Sequence, residues 1–239
     1  MKTSLKIVKD WRQRPYVTYF FLLLQTILFL WMEIAGYGFG GSQNVMILDQ
    51  FGAMERSGIL YQHEYWRFVL PIFLHIGWAH FAINSVTLYF IGEQVEMIYG
   101  HFRYFWLYLL SGVAGNVVSF AFGNANAISA GASTALFGLF AAFIVLGRLF
   151  KDNPAISMLV QRYLVFIGMN FIFNLFSSTV DMFGHIGGFV GGLLLAVSFN
   201  VPIKDREVNL HERIVSGVLF VFLLGILVIY GFKKYGFTI

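Results

Sequence analysis

The chain has 239 residues, of which 58% are hydrophobic and only 12% are charged, whereas soluble proteins average about 25% charged residues. This composition excludes a soluble globular domain and predicts an all-α protein that crosses a membrane several times. The net charge of +4 is spread over the connecting segments, which argues against a nucleic-acid partner. Cysteine is absent, so disulfides, thiolate metal sites and a cysteine nucleophile are excluded.

Residues 1–16 form a basic tail with five lysine and arginine side chains. Leu5, Val8 and Trp11 are spaced to line one side of a helix on the membrane surface, although a disordered tail fits the same residues. Residues 17–35 form the first predicted span, because a run of about 20 apolar residues crosses about 30 Å of hydrocarbon. A cleaved signal peptide is the alternative for this run, but no A-x-A-like cleavage site follows it.

Residues 36–68 form a long connection rich in glycine and aromatic residues, and further apolar runs follow it. These runs predict six more spans, at 69–92, 104–122, 132–149, 156–176, 182–199 and 214–232. With the N-terminus in the cytoplasm, 12 of the 16 lysine and arginine residues lie inside, as the positive-inside rule requires. The outer side holds the other four, Arg56, Arg67, Lys233 and Lys234. The last two follow the seventh span, which is therefore the span most at odds with the rule.

Polar groups inside spans are functional candidates, because a charge at the membrane centre costs about 2.5 to 3.5 kcal/mol on insertion scales. Such groups occur in spans two, four and six, as His75, His80, Asn84, Ser133, Asp181 and His185. Each of these spans enters from the outer side, so the groups lie between the outer part and the middle of the membrane. A small transporter would line a continuous path with polar residues, whereas the inner ends of these spans are apolar.

The spacing on span two argues against metal chemistry. Residues four apart on a helix differ by about 40° and residues five apart by about 140°. His80 and Asn84 therefore share a face that excludes His75, and the His-Glu-x-x-His pattern of zinc proteases is absent. An aspartyl protease needs two buried aspartates, and only Asp181 lies near a span. We expect neither a metal nor another cofactor.

Ser133 opens span four within the stretch Gly131-Ala132-Ser133-Thr134-Ala135-Leu136-Phe137-Gly138. At a helix N-terminus, unpaired N–H groups and the helix dipole stabilise an oxyanion, which makes Ser133 a candidate nucleophile. A helix cap is the alternative, and this octapeptide alone favours the cap.

Span six contains two rows of glycines at four-residue spacing, Gly184, Gly188 and Gly192 in one and Gly187 and Gly191 in the other. Such seams of small residues let membrane helices approach closely. Ala135 and Gly138 offer a matching surface on span four. Contact there would bring His185 within hydrogen-bonding reach of Ser133. Plain helix packing, with His185 as a polar tether, explains the seam equally well.

Several motifs occur in a fixed order along most of the chain. They are Glu64-x-Trp66-Arg67, His75-x4-His80-x3-Asn84, Glu96, Ser111-Gly112-x2-Gly115-Asn116, Gly131-Ala132-Ser133 and Gly184-His185-Ile186-Gly187-Gly188. Their joint order and spacing resemble the rhomboid family of intramembrane serine proteases. The resemblance implies a six-helix catalytic core over residues 17–199. The basic tail, 1–16, precedes this core, and residues 200–239 add a cytoplasmic linker and one extra transmembrane helix.

The same resemblance assigns the site residues. It implies that Ser133 is the nucleophile of a serine–histidine dyad and that His185 is its general base. His80 and Asn84, with the backbone N–H of Ser133, form the implied oxyanion hole. No third carboxylate is expected, so Asp181, one turn before His185, is interpreted as a helix cap, with an orienting role toward His185 as the alternative.

Three further residues carry expectations of their own. Thr179 is expected to cap span six together with Asp181. Phe137 falls where the family often has an aromatic ring that stacks on the imidazole, with generic packing as the alternative. Thr134 stands where many relatives have glycine after the nucleophile, and its branched side chain would narrow the pocket.

The resemblance implies an endopeptidase that cuts single-span or multi-span membrane proteins in or beside a transmembrane segment. We expect a multi-pass protein of a bacterial cell membrane, surrounded by lipid, with its active site open to the extracytoplasmic side. A loop at 176–181 is expected to close the cavity, and span five, with Asn170 and Asn174, to form a mobile gate or simply to pack. A catalytically silent relative that escorts membrane proteins is the alternative, disfavoured because both Ser133 and His185 are present.

Overall fold

The computed structural model of the chain describes residues 14–36, 40–175, 181–203 and 206–237. Three predictions concern residues outside these ranges: the surface helix of the basic tail, the closing loop at 176–181 except for Asp181, and the cap at Thr179. The side chains of Asn170 and Asn174 also lie outside the described part of the protein.

Seven long helices, α1 to α7, make up most of the described chain, and these residues contain no β-strand. They are α1 (Tyr16–Ala35), α2 (Gly77–Thr87, a π-helical turn at Leu88–Gly92, and Glu93–Tyr99), α3 (His101–Phe122), α4 (Ser133–Leu149), α5 (Pro154–Leu175), α6 (Met182–Phe199) and α7 (Leu210–Lys234). Among the described residues, α1, α3, α6 and α7 are long and apolar enough to cross a membrane, and α4 and the Ile156–Val165 part of α5 are shorter apolar helices. The prediction of an all-α, multi-pass membrane protein is confirmed.

The second span begins and ends later than its apolar run predicts. The predicted start at residue 69 is wrong, because Pro71 lies in a short 3₁₀ turn, Leu70–Phe73, and the chain is extended at Ile76. The helix starts only at Gly77, whose φ of +77° suits glycine. His75 therefore precedes α2 and is not part of its helical face.

A buried carboxylate explains why α2 continues beyond the predicted end at residue 92. Glu96 is 1% exposed and accepts hydrogen bonds from the backbone N–H groups of Val17 and Thr18, at 2.9 and 2.8 Å. The Thr18 hydroxyl donates a third bond at 2.7 Å, and His101 Nδ1 lies 2.5 Å from the other oxygen. Glu96 thus caps the first turn of α1 and joins the ends of α1, α2 and α3.

The two glycine rows of α6 face different neighbours, α4 and α3. A Cβ on Gly188 would stand 2.9 Å from the carbonyl carbon of Thr134 in α4, and closer still to its oxygen. A Cβ on Gly187 would stand 2.6 Å from the Cβ of Val118 in α3. Each row therefore allows a helix approach that any side chain would prevent, as the seam predicted.

The surface that α4 presents to α6 differs from the prediction in one residue. Gly138 lies in the contact with α6 as predicted, and a Cβ on Gly192 would stand 2.5 Å from its carbonyl oxygen. Thr134 occupies the position predicted for Ala135. Ala135 faces α3 instead, with its Cβ 3.2 Å from where Gly112 would carry one. A helix turns 100° per residue, so one position along α4 decides which neighbour a side chain meets.

Both arginines that the sequence assigns to the outer side are buried, Arg56 at 5% and Arg67 at 4% exposed. Arg67 is 3.0 Å from Asp49 and 2.5 Å from Glu64. Arg56 donates to three carbonyls at the C-terminal end of α3, those of Ser119, Phe120 and Gly123, at 3.1 to 3.2 Å. A cation at this end gives the terminal carbonyl groups a further hydrogen-bond donor and complements the helix dipole.

The seventh helix packs its C-terminal end against this same end of α3. A Cβ on Gly231 would clash with the ring of Phe120, and Lys234 Nζ donates a hydrogen bond to the Ala121 carbonyl at 3.0 Å. The Arg56 guanidinium lies over the Tyr235 ring, 4.7 Å from its centre. These contacts give at least Lys234 a structural reason to lie beyond the seventh span, the placement that the positive-inside rule disfavours.

We expect Lys234→Met to lower the free energy of unfolding by about 1 kcal/mol, because the variant loses a charge-assisted hydrogen bond at a helix C-terminus. Thermal unfolding in detergent measures the change. Lys233→Met, which removes the same charge from the neighbouring exposed position, is the control and should unfold like the unmodified protein. Equal unfolding temperatures for both variants would show that the hydrogen bond from Lys234 to the Ala121 carbonyl does not stabilise the protein.

Candidate active site

Ser133 and His185 form a hydrogen-bonded pair between α4 and α6. His185 Nε2 lies 2.8 Å from Ser133 Oγ. His185 is 5% exposed, and Ser133 is half-buried. The glycine seam just beyond His185 accounts for this distance, because it brings the backbones of the two helices together. A serine and a histidine in this arrangement can act as nucleophile and base.

An aromatic ring packs against one face of the His185 imidazole. Phe137, one turn after Ser133, stacks on His185 with ring centres 4.3 Å apart and an angle of 14° between the planes. The stacking expected for Phe137 is therefore present. It fixes the plane of the imidazole while leaving Nε2 directed at the serine.

His80 and Asn84, on α2, line the same cavity as Ser133 and His185, which has a volume of about 560 Å³. Asn84 is 4% exposed, and its Nδ2 donates a hydrogen bond of 2.9 Å to the His80 carbonyl. An amide nitrogen carries two hydrogens, so a second donor is available. Thr134, expected to narrow the pocket, also lines this cavity.

The turn before Ser133 is built around the two histidines. Gly131 donates its N–H to the Pro71 carbonyl at 2.9 Å, and a Cβ on Gly131 would stand 2.6 Å from His80 Cε1. His75 is fully buried, and its Nε2 accepts the N–H of Ala132 at 3.4 Å. Helical spacing set His75 apart from the other polar groups. Its contact with the residue next to the nucleophile depends on the extended chain before α2, which no spacing rule predicts.

Asp181 caps α6, as the sequence predicts. Its Oδ1 accepts the N–H of Gly184 at 2.9 Å, and its carbonyl accepts the N–H of His185 at 3.1 Å. Its other oxygen accepts hydrogen bonds from the hydroxyls of Ser119 and Ser129, the second at 3.4 Å. The cap thus starts the helix that carries His185.

Comparisons with known proteins match the sequence of this chain to one family. The Rhomboid domain family matches residues 62–200. Rhomboid protease GluP of Bacillus subtilis is 36% identical over 223 residues, which cover 93% of this chain and 41% of that protein. RHOMBOID-like protein 1 of Arabidopsis thaliana is 36% identical over 64% of this chain and 39% of its own length. Putative rhomboid protease YdcA of Bacillus subtilis is 26% identical over 82% of this chain and 94% of its own length.

The fold and the cavity define a polytopic membrane protein with a serine–histidine pair at its centre. The chain belongs to the rhomboid family, as its motifs predict. It spans less than half the length of GluP and of RHOMBOID-like protein 1, but nearly the whole length of YdcA.

Proposed function

We propose that the chain is an intramembrane serine endopeptidase in which Ser133 is the nucleophile and His185 the general base. The observation that carries the proposal is the 2.8 Å contact between Ser133 Oγ and His185 Nε2 at the wall of a cavity. Membership of a family whose relatives bear the name rhomboid protease supports the same conclusion.

In the first half of the proposed reaction, His185 Nε2 takes the hydroxyl proton of Ser133 while Oγ attacks the carbonyl carbon of the peptide bond. The carbonyl oxygen becomes an oxyanion. His185 then gives the proton to the departing amine, and an ester with Ser133 remains. In the second half, His185 takes a proton from water, the hydroxide attacks the ester, and the proton returns to Ser133 Oγ.

The oxyanion needs donors at the start of α4. We assign this role to the backbone N–H of Ser133, the second N–H of Asn84 and the His80 ring. All three lie around one cavity at the N-terminus of a helix, where unpaired N–H groups and the dipole favour negative charge. Each such donor stabilises a transition state by about 2.7 to 4 kcal/mol.

The substrates of this proposed reaction are membrane proteins with one or more spans, and the reaction takes place in the lipid bilayer. A transmembrane helix shields its own peptide bonds by hydrogen bonding, so small or helix-breaking residues at the cut should favour cleavage. We place the N-terminus in the cytoplasm and the cavity on the extracytoplasmic side of a bacterial cell membrane. The proposed core spans 17–199, between the tail 1–16 and the linker and extra helix of 200–239.

Purified protein in liposomes, incubated with a tagged single-span substrate, tests the proposed function. Fragments should appear with the unmodified chain and should be absent with Ser133→Ala. A matched substrate with glycine or proline near the cut should be cleaved faster than one with leucine there. Stable substrate binding without fragments, equal for both chains, would instead favour an escort function.

We expect Asn84→Ala and His80→Ala each to lower kcat by about 100- to 1000-fold with KM nearly unchanged, because oxyanion donors act in the transition state. Steady-state cleavage of the liposome substrate measures both constants. Ser85→Ala, which loses only the hydrogen bond that Ser85 receives from Gln25 on α1, is the control and should keep its kcat. An effect on KM alone would reassign His80 and Asn84 to substrate binding.

A further inference from the structure

One carboxylate connects three separate segments at the outer side of the active site. Asp181 Oδ2 accepts the hydroxyl of Ser119, near the end of α3, and the hydroxyl of Ser129, in the loop before α4. Its Oδ1 accepts the Gly184 N–H in the first turn of α6. In the chain, Asp181 lies 62 residues after Ser119 and 52 residues after Ser129.

Two of these segments carry the serine and the histidine of the proposed dyad. Ser129 lies four residues before Ser133, and Asp181 lies one helical turn before His185. Farther along α6, the contact of Gly188 with Thr134 holds α4 and α6 together. The dyad therefore lies between two attachments, a glycine contact on one side and the Asp181 carboxylate on the other.

The loop before α4 needs an attachment because a cavity borders it on each side. A second cavity, of about 270 Å³, lies beside the active-site cavity, and both are lined by Ile128, Ser129 and Asp181. These residues thus form the wall between the two cavities. Apart from Asp181, Ser129 is held by paired backbone bonds with Met54, at 2.8 and 3.0 Å. A loop released from Asp181 has room to shift toward either cavity.

We propose that Asp181 is a positioning residue that fixes Ser133 relative to His185 through Ser119 and Ser129. The proposal rests on the proposed function, because it concerns the geometry of that dyad. Asp181 acts here by joining α3, the loop and α6, and it does not take the place of a triad carboxylate that orients the imidazole. The double variant Ser119→Ala/Ser129→Ala separates the two roles, because it breaks the attachment and leaves the charge and the α6 cap in place.

We expect this double variant and Asp181→Asn each to lower kcat between about ten- and a hundredfold, with KM within about twofold, as small displacements of reacting groups do. Combining all three changes should add little. Ser119→Thr, which keeps the hydroxyl, should restore most of the kcat that Ser119→Ala loses.

Ser198→Ala, at the far end of α6, is the control. A large effect of Asp181→Asn with none of the double variant would show that the charge matters and would overturn the proposal.

A second measurement does not depend on activity. Because the chain has no cysteine, spin labels can be attached at Asn126→Cys in the loop and Val190→Cys on α6, both exposed positions. The distance distribution between them should be narrow and should broaden with Asp181→Asn or the serine double variant. Unchanged distance distributions would overturn the positioning role of Asp181 even if kcat falls. Broadening in a protein that shows no Ser133-dependent cleavage would support this positioning role and refute the proposed function.

Discussion

Ser133→Ala and His185→Ala should each reduce cleavage by about four orders of magnitude or more, the loss that removing a nucleophile or its base causes in serine hydrolases. The reason is the single 2.8 Å contact through which the serine proton must leave. The double variant should be no slower than either single variant, because the two groups act as one unit. Both single variants should insert and unfold largely like the unmodified protein, since Ser133 and His185 both line the cavity and neither is one of the seam glycines.

Cleavage of the tagged substrate in liposomes, with thermal unfolding in parallel, measures these effects. Ser216→Ala and His211→Ala, which make the same changes in α7, are the matched controls and should cleave at the unmodified rate. Measurable turnover by either dyad variant at more than a hundredth of that rate would contradict the assignment of Ser133 and His185.

Gly188→Val should do damage of a different kind, lowering activity and stability together. A Cβ at this position would stand 2.9 Å from the carbonyl carbon of Thr134 and closer to its oxygen, so a branched side chain must push α6 away from α4. Overpacking of this kind costs about 1 to 3 kcal/mol. A displacement of about an ångström between reacting groups costs on the order of a hundredfold in rate. Ser133→Ala should by contrast lose activity alone.

Gly225→Val is the matched control for this variant, because a Cβ on Gly225, in α7, would meet nothing within 4 Å. It should cleave substrate and unfold like the unmodified protein. If Gly188→Val also cleaves substrate and unfolds like the unmodified protein, the glycine seam does not bring His185 to Ser133.

Local patterns predicted much of this structure. The apolar runs gave the long helices, because helix length is set by membrane thickness and composition. Four-residue glycine spacing placed Gly188 against α4, because residues at that spacing share one helical face. The motif order led to the family, and the residues assigned to the dyad and the oxyanion hole line one cavity.

The errors occurred where distant segments determine local structure. The apolar run containing Pro71 begins as 3₁₀ turns and extended chain, so α2 starts at Gly77, and His75 reaches Ala132 from outside the helix. α2 extends past its apolar run because Glu96 finds partners on α1.

The prediction that Ala135 faces α6 is wrong for a related reason. Small size indicates that a residue can lie in a helix contact, whereas the rotation of α4 decides which neighbour it faces. The interactions of Lys234 with α3 and of Asp181 with Ser119 and Ser129 join residues 52 to 113 positions apart. No spacing rule predicts such pairs.

The central claim is that His185 activates Ser133 beside an oxyanion-stabilising site, and reaction with a fluorophosphonate probe tests it most directly. An activated serine reacts with this electrophile, whereas ordinary serines do not. We predict a single label on the unmodified protein in detergent, located at Ser133 by mass spectrometry and lost in His185→Ala. A label on another serine, or no label on a preparation that cleaves substrate, would contradict the claim.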